Sequence, residues 1–164
     1  MTLTLIACHP ATLEDITLVL NDGVDTIELG DEFVDAGAKA YVFGLPYKTT
    51  VIENTVDTST LGQYTIVYEY TRNDLSKTIE RYVFVIDETA PVITLNPGVD
   101  TVIIGQMWVD AGVTVNDNDP SSVNVTTEEA VNEAVEGTYD VIYTATDQSG
   151  NIASIIRKVH VINP

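Results

Sequence analysis

The chain has 164 residues, enough for one medium domain or two small ones. It carries 7 Lys plus Arg against 25 Asp plus Glu, a formal net charge of −18. That balance excludes a nucleic-acid binder of the usual kind, which needs clustered Lys and Arg to neutralise phosphates, and it makes an anionic membrane surface a poor partner. Val, Ile and Thr supply 59 residues and Leu plus Ala only 21. Branching at Cβ favours the pleated strand over the helix, so the composition predicts an all-β protein.

At the N-terminus, Leu5-Ile6-Ala7-Cys8 resembles the tail of a bacterial lipoprotein signal, with Cys8 as the lipidated residue. The positively charged n-region is missing and the apolar run is short. The alternative is a plain terminus with an incidental thiol. Cys8 is the one cysteine, so no intrachain disulfide is available. No stretch approaches the apolar length needed to span a bilayer as a helix. Membrane association would come only through a lipid on Cys8.

An internal repeat organises the rest. Residues 23–37 recur at 98–112 with nine of fifteen identities, including Val34-Asp35-Ala36-Gly37 and Val109-Asp110-Ala111-Gly112. Residues 62–68, from Gly62-Gln63-Tyr64 to Tyr68, recur at 137–143, again offset by 75. This reads as a leader remnant or linker over 1–14, a first domain over 15–87 and a second over 88–164. The joint is marked by Asp87-Glu88-Thr89-Ala90-Pro91, where proline removes a donor and stiffens the chain.

Strands are expected in chain order at 16–20, 26–29, 33–42, 50–53, 63–71 and 79–86. In the second copy they fall at 92–96, 101–104, 108–115, 123–127, 138–146 and 152–162. Their spacing of roughly 8 to 12 residues is that of a sandwich, and no segment holds a 3.6-residue apolar period. Residues 41–47 read as a loop. Tyr64 and Tyr139, each following a glycine turn, suit core or corner positions. Trp108, aligned with Phe33, suits the core.

These residues carry a resemblance. Ala90 to Asn96, Val109-Asp110-Ala111-Gly112, Gly137-Thr138-Tyr139 and Tyr143 to Asp147 with Gly150-Asn151 are similar to the bacterial immunoglobulin-like repeats of surface proteins. The first copy departs from that pattern at residues 72–77. The resemblance implies two tandem immunoglobulin-like β-sandwiches used as a spacer, stalk or adhesion module on the cell surface or in a secreted protein. It implies no catalytic residues, and His9, His160 and Cys8 form no recognisable catalytic set.

Two constellations remain. Asp87 and Glu88 in the linker, Asp117 and Asp119 in the B–C loop, and Asp147 and Asn151 in the F–G loop would converge at the domain junction. Such oxygen-rich loops suit Ca²⁺, which would stiffen the joint. The alternative is that Asn and Asp fill these turns for backbone reasons. The second constellation is Tyr41, Phe43 and Tyr47 in the first copy. They form either a patch for a surface protein or glycan, as in an accessory ligand-binding module of a secreted enzyme, or a packed sandwich end.

Overall fold

In the computed structural model, residues 10–119, 121 and 123–163 are described. Cys8 and His9 lie outside the described residues. The chain divides into two compact units, the first ending at Ile86 and the second beginning at Asp87.

Unit 1 holds β1 (Ile16–Leu20), β2 (Thr26–Glu28), β3 (Ala38–Val42), β4 (Leu45–Lys48), β5 (Thr50–Asn54), β6 (Gly62–Arg72) and β7 (Leu75–Ile86). They form a three-stranded sheet, β1-β3-β4, and a four-stranded sheet, β2-β7-β6-β5. Unit 2 holds β8 (Val92–Leu95), β9 (Thr101–Ile103), β10 (Val113–Asn116), β11 (Asn124–Glu129), β12 (Gly137–Thr146) and β13 (Ile152–Ile162). Its sheets are β10-β8 and β11-β12-β13-β9. Each unit is an immunoglobulin-like sandwich, and all pairings are antiparallel except β2 with β7 and β9 with β13.

The alternation of the long strands decides which side chains are inside. On β7, Arg81, Val83 and Val85 are buried while Glu80, Tyr82 and Phe84 are exposed. On β12, Val141, Tyr143 and Ala145 face inward. One core gathers Ile27, Leu29, Ile66, Tyr68, Val83 and Val85, with Phe33 against it. Its counterpart gathers Trp108, Val141, Tyr143 and Val159. Trp108 donates from its indole nitrogen to the Val99 carbonyl at 2.9 Å, so burial leaves no orphan donor. Tyr64 and Tyr139 are corner tyrosines, donating to the carbonyls of Thr60 (2.7 Å) and Val135 (2.9 Å).

Two expectations need correction. Residues 33–37 and 108–112 are not strand, because the Asp-Ala-Gly turn interrupts them. Asp35 and Asp110 each accept the backbone N–H of the glycine two residues on, at 2.8 Å, and Gly37 and Gly112 adopt φ of +75° and +69°. Residues 41–47 are not a loop. They form most of a β3–β4 hairpin in which Tyr41 pairs with Pro46 and Val42 with Leu45. Phe43 and Gly44 turn it with φ of +50° and +79°, the handedness that tight hairpins require.

The least apolar core residues are the most repeated in role. Arg81 and Arg157 are 1% and 2% exposed. Arg81 donates to the carbonyls of Asn21 (2.5 Å) and Gly37 (3.2 Å) and to the Asp25 carboxylate. Arg157 does the same toward Asn96 (2.7 Å), Gly112 (3.1 Å) and Asp100 (2.7 Å). The guanidinium comes from the four-stranded sheet, and Asn21 and Gly37 flank the strands of the other. Gly23 and Gly98 recur because a Cβ there would lie 2.7 Å from Ala36 or Ala111 and 3.2 Å from the guanidinium. The second carboxylate of each set, Asp35 or Asp110, accepts the hydroxyl of Tyr68 or Tyr143 and lies 3.9 or 3.8 Å from the arginine Nε.

Replacing Arg157 with Met keeps the volume but strips the Asn96 carbonyl of its donor, the Gly112 carbonyl of one of its two and the Asp100 carboxylate of its ion pair, at a cost of about 2–4 kcal/mol. Trp108 fluorescence during urea unfolding should report a lower midpoint with an unchanged slope.

The tyrosines predict an alkaline limit. Burial, reinforced by the Asp35 carboxylate, pushes the Tyr68 phenol from 10.0 up to about 12. Tyr143 moves in the same direction through burial and Asp110. The folded state therefore holds the neutral phenol after the unfolded chain has lost the proton. The stabilisation is whole below pH 10, erodes above it and is gone past the folded value near 12. Absorbance at the tyrosinate band should show both phenols titrating only as the fold is lost.

Candidate functional site

The sites follow from how each sandwich closes at the end carrying the β6–β7 or β12–β13 hairpin. In unit 1 this end is apolar. Ile16, Ala40, Val42 and Tyr70 are buried together, with Ala11, Leu18 and Leu75 against them. The strand registers identify the matching positions in unit 2. Ile16 pairs with Val42, and Val92 pairs with Asn116, so Pro91 and Asp117 stand where Ile16 and Val42 do. Thr71 pairs with Ser76, and Thr146 with Ile152. Ala145 thus replaces Tyr70, Asp147 replaces Arg72 and Asn151 replaces Leu75. The hairpin of unit 2 is one residue longer, which moves the repeat offset from 75 to 76 beyond it.

The result in unit 2 is a carboxylate cluster. One ligand oxygen from each of Asp87, Asp117 and Asp147 lies within 4.8 Å of the others. Asp87 and Asp147 are each only 7% exposed. Turn hydrogen bonds hold one oxygen of each residue. Asp87 Oδ1 accepts Thr89 N–H (3.1 Å), Asp117 Oδ1 accepts Asp119 N–H (2.9 Å) and Asp147 Oδ1 accepts Asn151 N–H (2.8 Å). The Oδ2 atoms of Asp87 and Asp117 are buried and unpartnered. Burial pushes the Asp147 carboxyl up. The Asn151 side chain and the N–H groups of residues 149–151 outweigh it and hold Asp147 below the usual carboxylate range. Ionised carboxylates this close repel one another.

The other residues of the expected set stand differently. Asn151 is a brace, donating from Nδ2 to Asp147 Oδ2 (2.9 Å) and to the Asp87 carbonyl (3.1 Å). Asp119 spends its oxygens on Ser121, accepting its N–H (2.9 Å) and hydroxyl (2.5 Å). Glu88 is exposed and outside the three-residue cluster.

The aromatic constellation lies on the β3–β4 hairpin. Phe43 and Leu45 are 59% and 61% exposed at its tip. Tyr41 is half-buried, paired across to Thr17 and Pro46. Tyr47 tilts against Tyr70 with ring centroids 5.5 Å apart, and the Arg72 guanidinium lies 5.8 Å above its ring. Sequence reasoning missed Tyr70 and Arg72 as its neighbours, because the contacts join two sheets. His160 is exposed, with Nδ1 3.0 Å from the Thr138 hydroxyl.

Two sandwiches of this build define a class, the tandem immunoglobulin-like protein. The sequence matches the family described as bacterial surface protein, Ig-like domain, over residues 20–85 and 93–161, and the chain belongs to that family. Among solved structures it is similar to the lipoprotein BT2262 from Bacteroides thetaiotaomicron, at 20% identity and a TM-score of 0.37, over 86% of this chain and 98% of that one. It is also similar to the protocadherin GammaB4 extracellular domain, at 12% identity and a TM-score of 0.40, over 90% of this chain and 26% of that one. No curated protein matches the sequence. Among the described residues no helix is long and apolar enough to cross a membrane.

Proposed function

We propose that the chain is a non-catalytic spacer or adhesion segment of a bacterial surface protein, held at the cell surface or secreted. Lipidation of Cys8 is the anchor this reading favours, on the Leu5-Ile6-Ala7-Cys8 motif. The observation that carries the spacer role is the parallel pairing at each unit's ends. Early strand β2 lies beside last strand β7 in parallel, with Thr26, Ile27 and Glu28 opposite Phe84, Val85 and Ile86. Leu29 N–H donates to the Ile86 carbonyl at 2.7 Å and Phe84 N–H to the Asp25 carbonyl at 2.8 Å. Unit 2 repeats this between β9 and β13, with Ile104 N–H to Ile162 (3.0 Å) and His160 N–H to Asp100 (2.7 Å). Tension applied through the chain pulls two parallel neighbours in opposite directions, so their hydrogen bonds are sheared together instead of opened one by one. The −18 charge keeps such a surface segment soluble.

Single-molecule pulling should give two unfolding events, each releasing about 25 nm of chain at roughly 3.5 Å per residue. Leu29→Pro removes the donor to Ile86 and should lower the force of one event, leaving the other unchanged. Two events at forces no higher than those of an unladdered helical domain would count against a load-bearing role.

A second reading is favoured by the hairpin tip. Exposed Phe43 and Leu45 beside the Tyr47–Tyr70–Arg72 stack offer an apolar, aromatic surface for a glycan or a protein at the cell surface. A glycan array probed with the parent and with Phe43→Ala should show a signal that the variant loses. A blank array removes the glycan.

A further inference from the structure

The geometry points to a calcium ion bound by Asp87, Asp117 and Asp147 in unit 2, where it closes the end of the sandwich that an apolar plug closes in unit 1. This goes beyond the spacer reading and holds whether or not the chain bears load.

The first observation is the convergence of three carboxylates within 4.8 Å. The second is independent of proximity. Asp87 is 93% buried by its 7% exposure, yet its Oδ2 has no partner, and Asp117 Oδ2 is likewise buried and unpartnered. Buried polar atoms are nearly always satisfied, and an orphaned carboxylate oxygen is among the most costly to leave so. The turn N–H groups satisfy the Oδ1 atoms and leave the Oδ2 atoms of Asp87 and Asp117 without a partner among the described residues, an arrangement that suits a cation.

The third observation is the internal comparison. Val42, Tyr70 and Leu75 fill this end of unit 1, while Asp117, Ala145 and Asn151 occupy the same places in unit 2. Tyr70→Ala in an apolar plug would leave a void. Together with two acids and an amide, the same change makes room for an ion and its waters. Unit 1 has Arg72 where unit 2 has Asp147, so a site there would meet a fixed positive charge. A divalent ion offsets two of the three charges in unit 2. The donors are all oxygen, which disfavours zinc, and they lie on irregular turns, which suit the adaptable calcium shell better than the strict octahedron of magnesium.

Trp108, the chain's one tryptophan, is buried in unit 2 and reports that unit alone. Its thermal midpoint should rise by on the order of 10 °C between EDTA and calcium at 100 times its dissociation constant. Magnesium at the same concentration should raise it far less. Asp117→Asn should abolish the shift, as should Asp147→Asn. The triple variant Asp117→Val, Ala145→Tyr, Asn151→Leu, which copies the unit 1 plug, should unfold at one temperature with or without calcium. In a Phe33→Trp, Trp108→Phe variant, where the fluorophore reports unit 1, calcium should change nothing. No calcium heat by calorimetry at about 10 mM, well above the weakest extracellular sites, would overturn the proposal. So would a calcium shift that survives in both Asp variants, or equal shifts from magnesium. A blank calcium result leaves the pulling prediction standing, and low unfolding forces leave the calcium site standing.

Discussion

Each unit is organised around one buried guanidinium. Arg81 and Arg157 are the largest fully buried side chains among the described residues. A charge this deep is tolerated because its two terminal nitrogens meet backbone carbonyls and a carboxylate, while Nε has no hydrogen bond and only a carboxylate at 3.8–3.9 Å. Those carbonyls belong to segments flanking one sheet, and the arginine belongs to the other. Apolar contacts alone would permit the sheets to slide; this polar tie permits one registration. The tight Gly23 and Gly98 approaches, the Asp-Ala-Gly turns and the tyrosine hydroxyls are arranged around it.

Within that shared frame the two units differ most at one end. Core positions of an immunoglobulin-like sandwich are constrained by alternation along the long strands, so both units keep Val and Tyr there. The ends are closed by side chains from strand termini and hairpins, where the constraint is only that the space be filled and the polar atoms satisfied. Unit 1 meets that constraint with a tyrosine, a valine and a leucine. Unit 2 gathers three carboxylates, two of which keep a buried, unpartnered oxygen. A duplicated scaffold can thus close the same end with an apolar plug in one copy and with a carboxylate cluster in the other, with no change in topology.

The parallel pairs β2–β7 and β9–β13 fit the same frame. Arg81 donates to Asp25, the residue just before β2, while Asp25 also accepts the backbone N–H of Phe84 on β7. Arg157 and Asp100 do likewise beside β9 and β13. The tie that sets the sheet registration therefore also fastens the short parallel strand against the last one. In this member of the bacterial surface Ig-like family, the sheet registration and the parallel strand pair are thus held by the same group of atoms.

Much was legible in the chain itself. A constant offset of 75 exposed the duplication, and period-two alternation with Cβ branching predicted strands that the fold reproduces closely at Ile16–Leu20 and Ile152–Ile162. Turn chemistry was less legible. The Asp-Ala-Gly motif reads as the end of a strand, although its aspartate captures the glycine N–H and breaks the ladder. Phe43-Gly44 hid a hairpin because a phenylalanine rarely takes positive φ. Arg81 and Arg157 escaped the repeat because the longer hairpin of unit 2 shifts their offset to 76. Acid-rich turns suggested a cation, but only the folded strands could select three aspartates from the six residues proposed. Spacing along a chain reports local backbone preference. Which oxygens end up buried, bare and adjacent depends on partners 30 and 60 residues away, and tertiary packing alone brings those together.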